Sequence, residues 1–202
     1  METKFNSDER KRIQEGINEK YKRVAISPEG DFNYPTGRAG LEGQKYDPEV
    51  LRALPKDVLA SYCGVGNPFS LGPVKKGEAV LDIGCGAGVD TLVAAIMVGP
   101  EGRVTGIDLI PEMLKRARTN LEKTSLKNVT FREGSAEQLL FPDESFDVVI
   151  SNGVFNLIPD KAKALREVFR VLKSSGCVLL ADQILMGDMP ADTQSMVANW
   201  SR

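Results

Sequence analysis

Residues 80–90 read Val-Leu-Asp-Ile-Gly-Cys-Gly-Ala-Gly-Val-Asp, an apolar run that meets three glycines at alternate positions. Gly84, Gly86 and Gly88 suit a tight turn from a buried strand, Ala79–Ile83, into a helix over 90–98. Glycine accepts positive φ and lets a ligand approach the backbone closely. The spacing is not the dinucleotide pattern G-x-G-x-x-G, because the third glycine arrives one residue early and Val89 holds its place. A parallel α/β sheet, with ligands bound beyond the carboxyl ends of its strands, uses such a junction.

The chain after about residue 78 agrees with that sheet. Strand-like and helix-like segments alternate with short turns, the pattern of a doubly wound, Rossmann-like α/β domain. Strands are expected at Ala79–Ile83, Arg103–Asp108, Val129–Glu133, 146–151 and 177–181. Pro111 opens a helix whose Met113, Leu114, Ala117 and Leu121 share a face. Another helix spans 160–173, with Leu165, Val168, Phe169 and Leu172 as its apolar stripe. Gly99-Pro100-Glu101-Gly102 and Ser174-Ser175-Gly176 read as helix-to-strand turns. Residues 1–77 differ. Ile13, Ile17, Tyr21 and Val24 mark an amphipathic helix over 8–24, and a turn-rich stretch with Pro28, Gly30, Pro35, Gly37, Gly40, Gly43 and Pro48 follows, expected to lack regular structure. The expected division is an N-terminal helical cap and lid over 1–77, lying across the mouth of a core at 78–187, then a short tail at 188–202.

Composition excludes several function classes. A chain of 202 residues builds one good core, not two full domains. The net charge of −2 offers no overall basic footprint for nucleic acid or an anionic membrane. The charged N-terminus and the lack of a long apolar run argue against a signal peptide or a membrane span. Cys63, Cys85 and Cys177 form no CxxC pair, which fits a reducing cytoplasm, and no metal site is expected. There is no histidine, which removes Ser-His-Asp and Cys-His catalysis and the usual neutral-pH base.

Asp108 closes the second expected strand, 24 residues after Gly84. A carboxylate there can accept both ribose hydroxyls of a nucleoside. The glycine spacing, with Asp82 two places before Gly84, resembles the first motif of class I S-adenosylmethionine-dependent methyltransferases. The wider match is similar to the arsenite methyltransferase branch and its neighbours, the quinone-biosynthesis C-methyltransferases. It runs through Tyr62-Cys63-Gly64-Val65-Gly66-Asn67-Pro68, residues 81–90 and 106–114, Ser151-Asn152-Gly153-Val154 and Pro159-Asp160-Lys161, and extends from about Tyr21 to Pro190.

This resemblance implies S-adenosylmethionine as cofactor. Asp82, Gly84, Cys85, Gly86 and Gly88 would form the loop and methionine side. Asp108 and Leu109 would hold the ribose, with Met113 beside them. Ser135, Ala136 and Glu137 would frame the adenine, and Ser151 and Asn152 would face the transfer site. Asn152, Cys63 and Tyr21 are the candidates at the reacting groups, with Tyr34 and Tyr46 as further acceptor-side residues. The family holds trivalent arsenic with thiolates. Two of its cysteine positions carry Val65 and Gly153 here, which favours a small-molecule methyl acceptor other than arsenite. The class normally continues past its fifth strand. A chain stopping early would leave that strand's edge unpaired, so a truncation, or a homodimer covering the edge, is expected. A cofactor-binding module without turnover is the alternative to an enzyme; an NAD-dependent oxidoreductase is disfavoured by the glycine spacing.

Overall fold

The apolar run before the glycines becomes the centre of a sheet. In the computed structural model, which describes residues 5–72, 74–184, 196, 197 and 200, β1 (Ala79–Ile83) is buried at every residue. β2 (Arg103–Asp108) pairs with it in parallel on one side and β3 (Val129–Glu133) lies beyond β2. β4 (Phe146–Asn152) pairs on its other side and β5 (Leu172–Ala181) lies beyond β4, so the order is β3-β2-β1-β4-β5. The chain reverses direction across the sheet between β1 and β4, which opens a crevice beyond their carboxyl ends. The expected parallel α/β sheet is what forms.

The cap begins with α1 (Ser7–Val24), opened by a capping box in which Asn6 accepts from the Glu9 N–H and Glu9 accepts from the Asn6 N–H. The turn-rich stretch is more regular than expected: it holds α2 (Gly37–Gly43), α3 (Pro48–Arg52) and α4 (Lys56–Leu59), and a 3-10 turn at Pro68–Leu71. Helices this short draw their stability from packing, not propensity. Leu41, Tyr46, Leu51, Leu54, Val58, Leu59 and Tyr62 bury together against the helix that follows β1. That helix is α5 (Val89–Val98); α6 (Pro111–Glu122) follows β2 with Pro111 in its first turn, and α7 (Lys161–Val171) precedes β5, capped by Asp160. α1 crosses α6, with Ile17 and Tyr21 against Val24, Ile110 and Met113, and Lys22 reaches Glu112 at 3.8 Å.

Two expectations about α7 are corrected. Its buried face is Ala164, Val168 and Val171, while Phe169 is 83% exposed and Leu165 46% exposed. Leu165 and Phe169 sit one residue, roughly 100° of helix turn, away from Ala164 and Val168, so one stripe cannot bury both pairs. The strand after α7 also starts at Leu172, not at 177. Leu172 pairs with Phe146 and Cys177 with Val148, so the expected turn 174–176 survives as an excursion inside β5. A Cβ on Gly176 would stand 2.9 Å from the Asp147 carbonyl oxygen.

Most of the tail expected at 188–202 lies outside the described residues. Val197 and Trp200 are described: they pack with Phe5 and Ile13, and Trp200 Nε1 donates to the Leu157 carbonyl at 2.8 Å. Among the described residues no strand pairs with the outer edge of β5, and no helix is long and apolar enough to cross a membrane.

Candidate active site

The glycine junction leaves no room for side chains. Gly84 has φ +69°, and a Cβ there would lie 2.3 Å from Val154 Cγ2. Gly88 caps α5 at φ +82° and faces the Phe131 ring, which a Cβ would meet at 2.6 Å. Above the loop a cavity of about 430 Å³ opens at the carboxyl ends of β1, β2 and β4, walled on its other side by α1 and the cap. Asp108 ties the loop to β2. Its Oδ2 accepts from the Gly86 N–H at 2.8 Å and its Oδ1 from the Ile110 N–H at 2.9 Å. Burial pushes its pKa up, against the pull of these backbone donors. Each carboxylate oxygen still has a lone pair for a ligand. Asp82 accepts from Thr91 Oγ1 at 2.6 Å, and burial, with the charge of Asp90, raises it well above the usual carboxylate range.

The remaining expected positions divide. Gly84, Cys85 and Gly86 line the cavity, as do Asp82, Asp108 and Leu109. Met113 also lines it while packing on Val24 and Ile110. Ser135, Ala136 and Glu137 form its far wall, where Ser135 Oγ accepts from the Glu137 N–H at 3.2 Å and Glu137 Oε1 from the Asp160 N–H at 3.1 Å. Gly88 and Ser151 stand outside it. The Ser151 hydroxyl is buried and donates to the Ile83 carbonyl at 2.9 Å, so it fastens β4 to β1 instead of facing a ligand. The adjacent Cys85 thiol is buried and raised well above its usual pKa by that burial.

Asn152 lines the cavity, but its amide is committed to structure. Oδ1 accepts from the Val65 and Gly66 N–H groups at 2.9 and 3.1 Å, and Nδ2 donates to the Gly66 carbonyl at 2.7 Å and to Asp90 Oδ2 at 2.9 Å. Asp90 Oδ1 takes the Tyr46 hydroxyl at 2.6 Å. Tyr62 joins through Tyr46 and Gln44. This knot fastens the cap's 64–66 segment to the start of α5 and the end of β4. Burial lifts Asp90 to about 6, with the Tyr46 and Asn152 hydrogen bonds pulling the other way. Asp90 and Tyr62 both line the cavity, and neither was among the site residues expected from the sequence. The available signal was position: Asp90 stands in the first turn of the helix that the glycines launch. Tyr46, expected at the acceptor, lies behind the cavity wall because its hydroxyl is spent on Asp90.

From the cap, Tyr21, Tyr34 and Cys63 enter the cavity together. The Tyr34 hydroxyl donates to the Cys63 carbonyl at 3.1 Å. Burial pushes the Cys63 thiol up to about 12, and raises Tyr21 beyond the usual phenol range. Gly153 meets Val65 across the wall: a Cβ on Gly153 would be 3.2 Å from Val65 Cγ1. These two neighbouring positions carry no thiol. Arg10, Lys11 and Gln14 of α1 complete the rim, with Arg10 3.8 Å from Glu137.

The chain is similar to known proteins. A family model described as a methyltransferase domain matches residues 74–202. An arsenite methyltransferase of Halobacterium salinarum is 40% identical over 159 residues, covering 79% of this chain and 40% of that protein. A demethylmenaquinone methyltransferase of Listeria welshimeri is 44% identical over 110 residues, covering 54% of this chain and 46% of that protein. Among solved structures, an arsenic(III) S-adenosylmethionine methyltransferase from Chlamydomonas reinhardtii superposes with a TM-score of 0.60 at 35% identity, over 82% of this chain and 54% of that one. An S-adenosylmethionine-dependent methyltransferase from Aquifex aeolicus gives 0.54 at 27% identity, over 73% and 75%. The chain thus spans less than half the length of the curated relatives it matches. The family model covers more than half of the chain, which belongs to the methyltransferase-domain family as a class I, S-adenosylmethionine-dependent member.

Proposed function

We propose that the chain binds S-adenosylmethionine in the cavity above β1, β2 and β4 and transfers its methyl group to a small-molecule acceptor held under the cap. The observation that carries this is the joint placement of the glycine loop and Asp108, hydrogen-bonded to each other through the Gly86 N–H, at the floor of a cavity of about 430 Å³. That volume suits a ligand of cofactor size. The charges suit it too. Asp82, Asp90, Asp108 and Glu137 line the cavity against Arg10 and Lys11, an excess of carboxylates that favours a cationic ligand. When bound, S-adenosylmethionine supplies a sulfonium methyl group open to in-line displacement by a nucleophile.

The protein's own part is positioning and exclusion of water. Asp108 would accept the ribose hydroxyls, and Ser135, Ala136 and Glu137 would frame the base. Asp82 would hold the methionine end, which carries an ammonium group. Tyr21, Tyr34 and Cys63 would contact the acceptor, and the Asn152–Asp90 knot keeps the wall beside them in place. Cys63 is a protonated thiol at neutral pH, and Val65 and Gly153 provide no second sulfur, so this wall favours a carbon-, oxygen- or nitrogen-centred acceptor over a trivalent metalloid. The relatives are named as enzymes, which favours turnover over a silent binding module. Three free cysteines suit a reducing cytoplasm, and a second copy of the chain along the β5 edge would cover its unpaired groups.

The test is turnover of methyl-labelled S-adenosylmethionine by the chain against a panel of phenols, amines, thiols and arsenite. Label transfer to an organic acceptor supports the proposal; transfer to arsenite alone overturns its acceptor half, and no transfer to any of them overturns the enzyme.

A further inference from the structure

A second groove, of about 410 Å³, lies across the open face of β2 and β3, running diagonally from Arg103 at the start of β2 to Arg132 near the end of β3. Its existence follows from the β3–β4 connection: the described residues from 134 to 145 contain no helix to cover that face. The groove is lined by Arg103, Lys127 and Arg132, all exposed, with Thr105 and Thr130 between them and Phe141 at one side. Thr105 pairs with Thr130 across the two strands, so their hydroxyls share this face. No Asp or Glu lines it. Among the described residues no ion pair engages any of the three cations. Arg103 donates to the Ser145 carbonyl, and Arg132 lies 5.9 Å from the centre of the Phe141 ring. Three clustered cations, of which Arg103 lies in electrostatic range of Asp147, are unexpected on a chain whose net charge is −2.

We propose that this groove is a binding site for a small oligophosphate anion, the di- or triphosphate class. Guanidinium and ammonium groups are the usual recognition elements for phosphate oxygens, and the paired threonines add neutral donors. From strand geometry, the Cα atoms of Arg103 and Arg132 stand roughly 14 Å apart along the diagonal of the β2–β3 face, a separation that suits several linked phosphates better than one. A nucleic-acid strand fits less well. Beyond the lining residues Ser145 and Phe146, the next cations, Arg170 and Lys173, are already spent on Asp143 and Asp147, which leaves a backbone running on past the groove without further partners. The groove shares no lining residue with the cofactor cavity, so it stands or falls independently of the methyl-transfer proposal.

Inorganic triphosphate titrated calorimetrically into the full chain at low salt, without divalent metal, is the test. Saturable one-to-one binding is expected, weakening as salt screens the charges. Lys127→Glu combined with Arg132→Glu should weaken it at least fivefold, while the far-ultraviolet circular dichroism of this exposed double variant stays that of the parent. Absence of saturable binding, or a loss smaller than fivefold in the double variant, overturns the proposal. So does a short single-stranded RNA that binds the groove and is not displaced by triphosphate.

Discussion

Replacing Asn152 with alanine removes the pin between the cap and the sheet, and its cost can be worked from the structure. The amide has two N–H groups, so of its four Nδ2 contacts the two shortest, to the Gly66 carbonyl and to Asp90, are its bonds. Two more bonds arrive from the Val65 and Gly66 N–H groups. Three neutral bonds at about 1 kcal/mol each and one to a carboxylate at about 2 kcal/mol set a ceiling near 5 kcal/mol. Asn152 is only partly buried and borders the cavity, so water replaces some partners, and about 3 kcal/mol is the expected loss. For a chain of this length that lowers Tm by about 6–12 °C. Asn152→Asp sharpens the test. It keeps the acceptor for Val65 and Gly66 but sets a second carboxylate against Asp90, whose pKa is already about 6. The repulsion exists only where both are ionised, so this variant should be distinctly less stable at pH 8 than at pH 5 relative to the parent. Thermal unfolding followed by circular dichroism at both pH values measures it. A loss below 1 kcal/mol for Asn152→Ala, together with a pH-independent Asn152→Asp, would refute the pinning role.

Gly84→Ala forces a Cβ to within 2.3 Å of Val154 Cγ2 at a positive φ, and should abolish detectable S-adenosylhomocysteine binding in calorimetry while the double variant Gly84→Ala/Val154→Ala recovers part of it. Glu167 is held down to about 2 by its Arg170 hydrogen bonds, from 4.5. A lowered carboxylate pKa adds stability that is complete above the unfolded value and is lost as pH falls from 4.5 toward 2. The shift corresponds to roughly 3 kcal/mol, reduced to about 1–2 kcal/mol by solvent exposure; Glu167→Gln should therefore cost about that much at pH 7 and almost nothing at pH 2 in urea unfolding. Burial of Cys63, with its pKa near 12, predicts slow alkylation by iodoacetamide at pH 7.5, at least tenfold slower than for the exposed Cys177; equal rates would contradict the protonated thiol.

The cavity floor was legible because each of its pieces is a short local stretch of sequence at a strand end. Gly84, Gly86 and Asp108 were readable from strand ends, since a parallel sheet always presents those ends at one rim. Ser151 was misread because alternation along β4 decides which strand-end side chain faces the crevice, and its hydroxyl faces Ile83. The Asp90–Tyr46–Asn152 knot could not be read at all: it joins residues 44 and 62 positions apart along the chain, and only folding brings them together. The short cap helices were missed for a related reason, being held by burial against Val89, Leu92 and Val93 and not by their own propensity. The open β2–β3 face was hidden by net charge, which sums cations clustered in one groove with carboxylates spread elsewhere.

The central claim is a nucleoside-cofactor site built on Asp108 and the glycine loop. Calorimetric titration of the chain and of Asp108→Ala with S-adenosylmethionine, S-adenosylhomocysteine and NAD tests it most directly. The account predicts that the first two bind the chain and NAD does not, and that Asp108→Ala weakens both by more than tenfold, about 1.4 kcal/mol. Binding of NAD in preference to either, or unchanged affinity in Asp108→Ala, would contradict it.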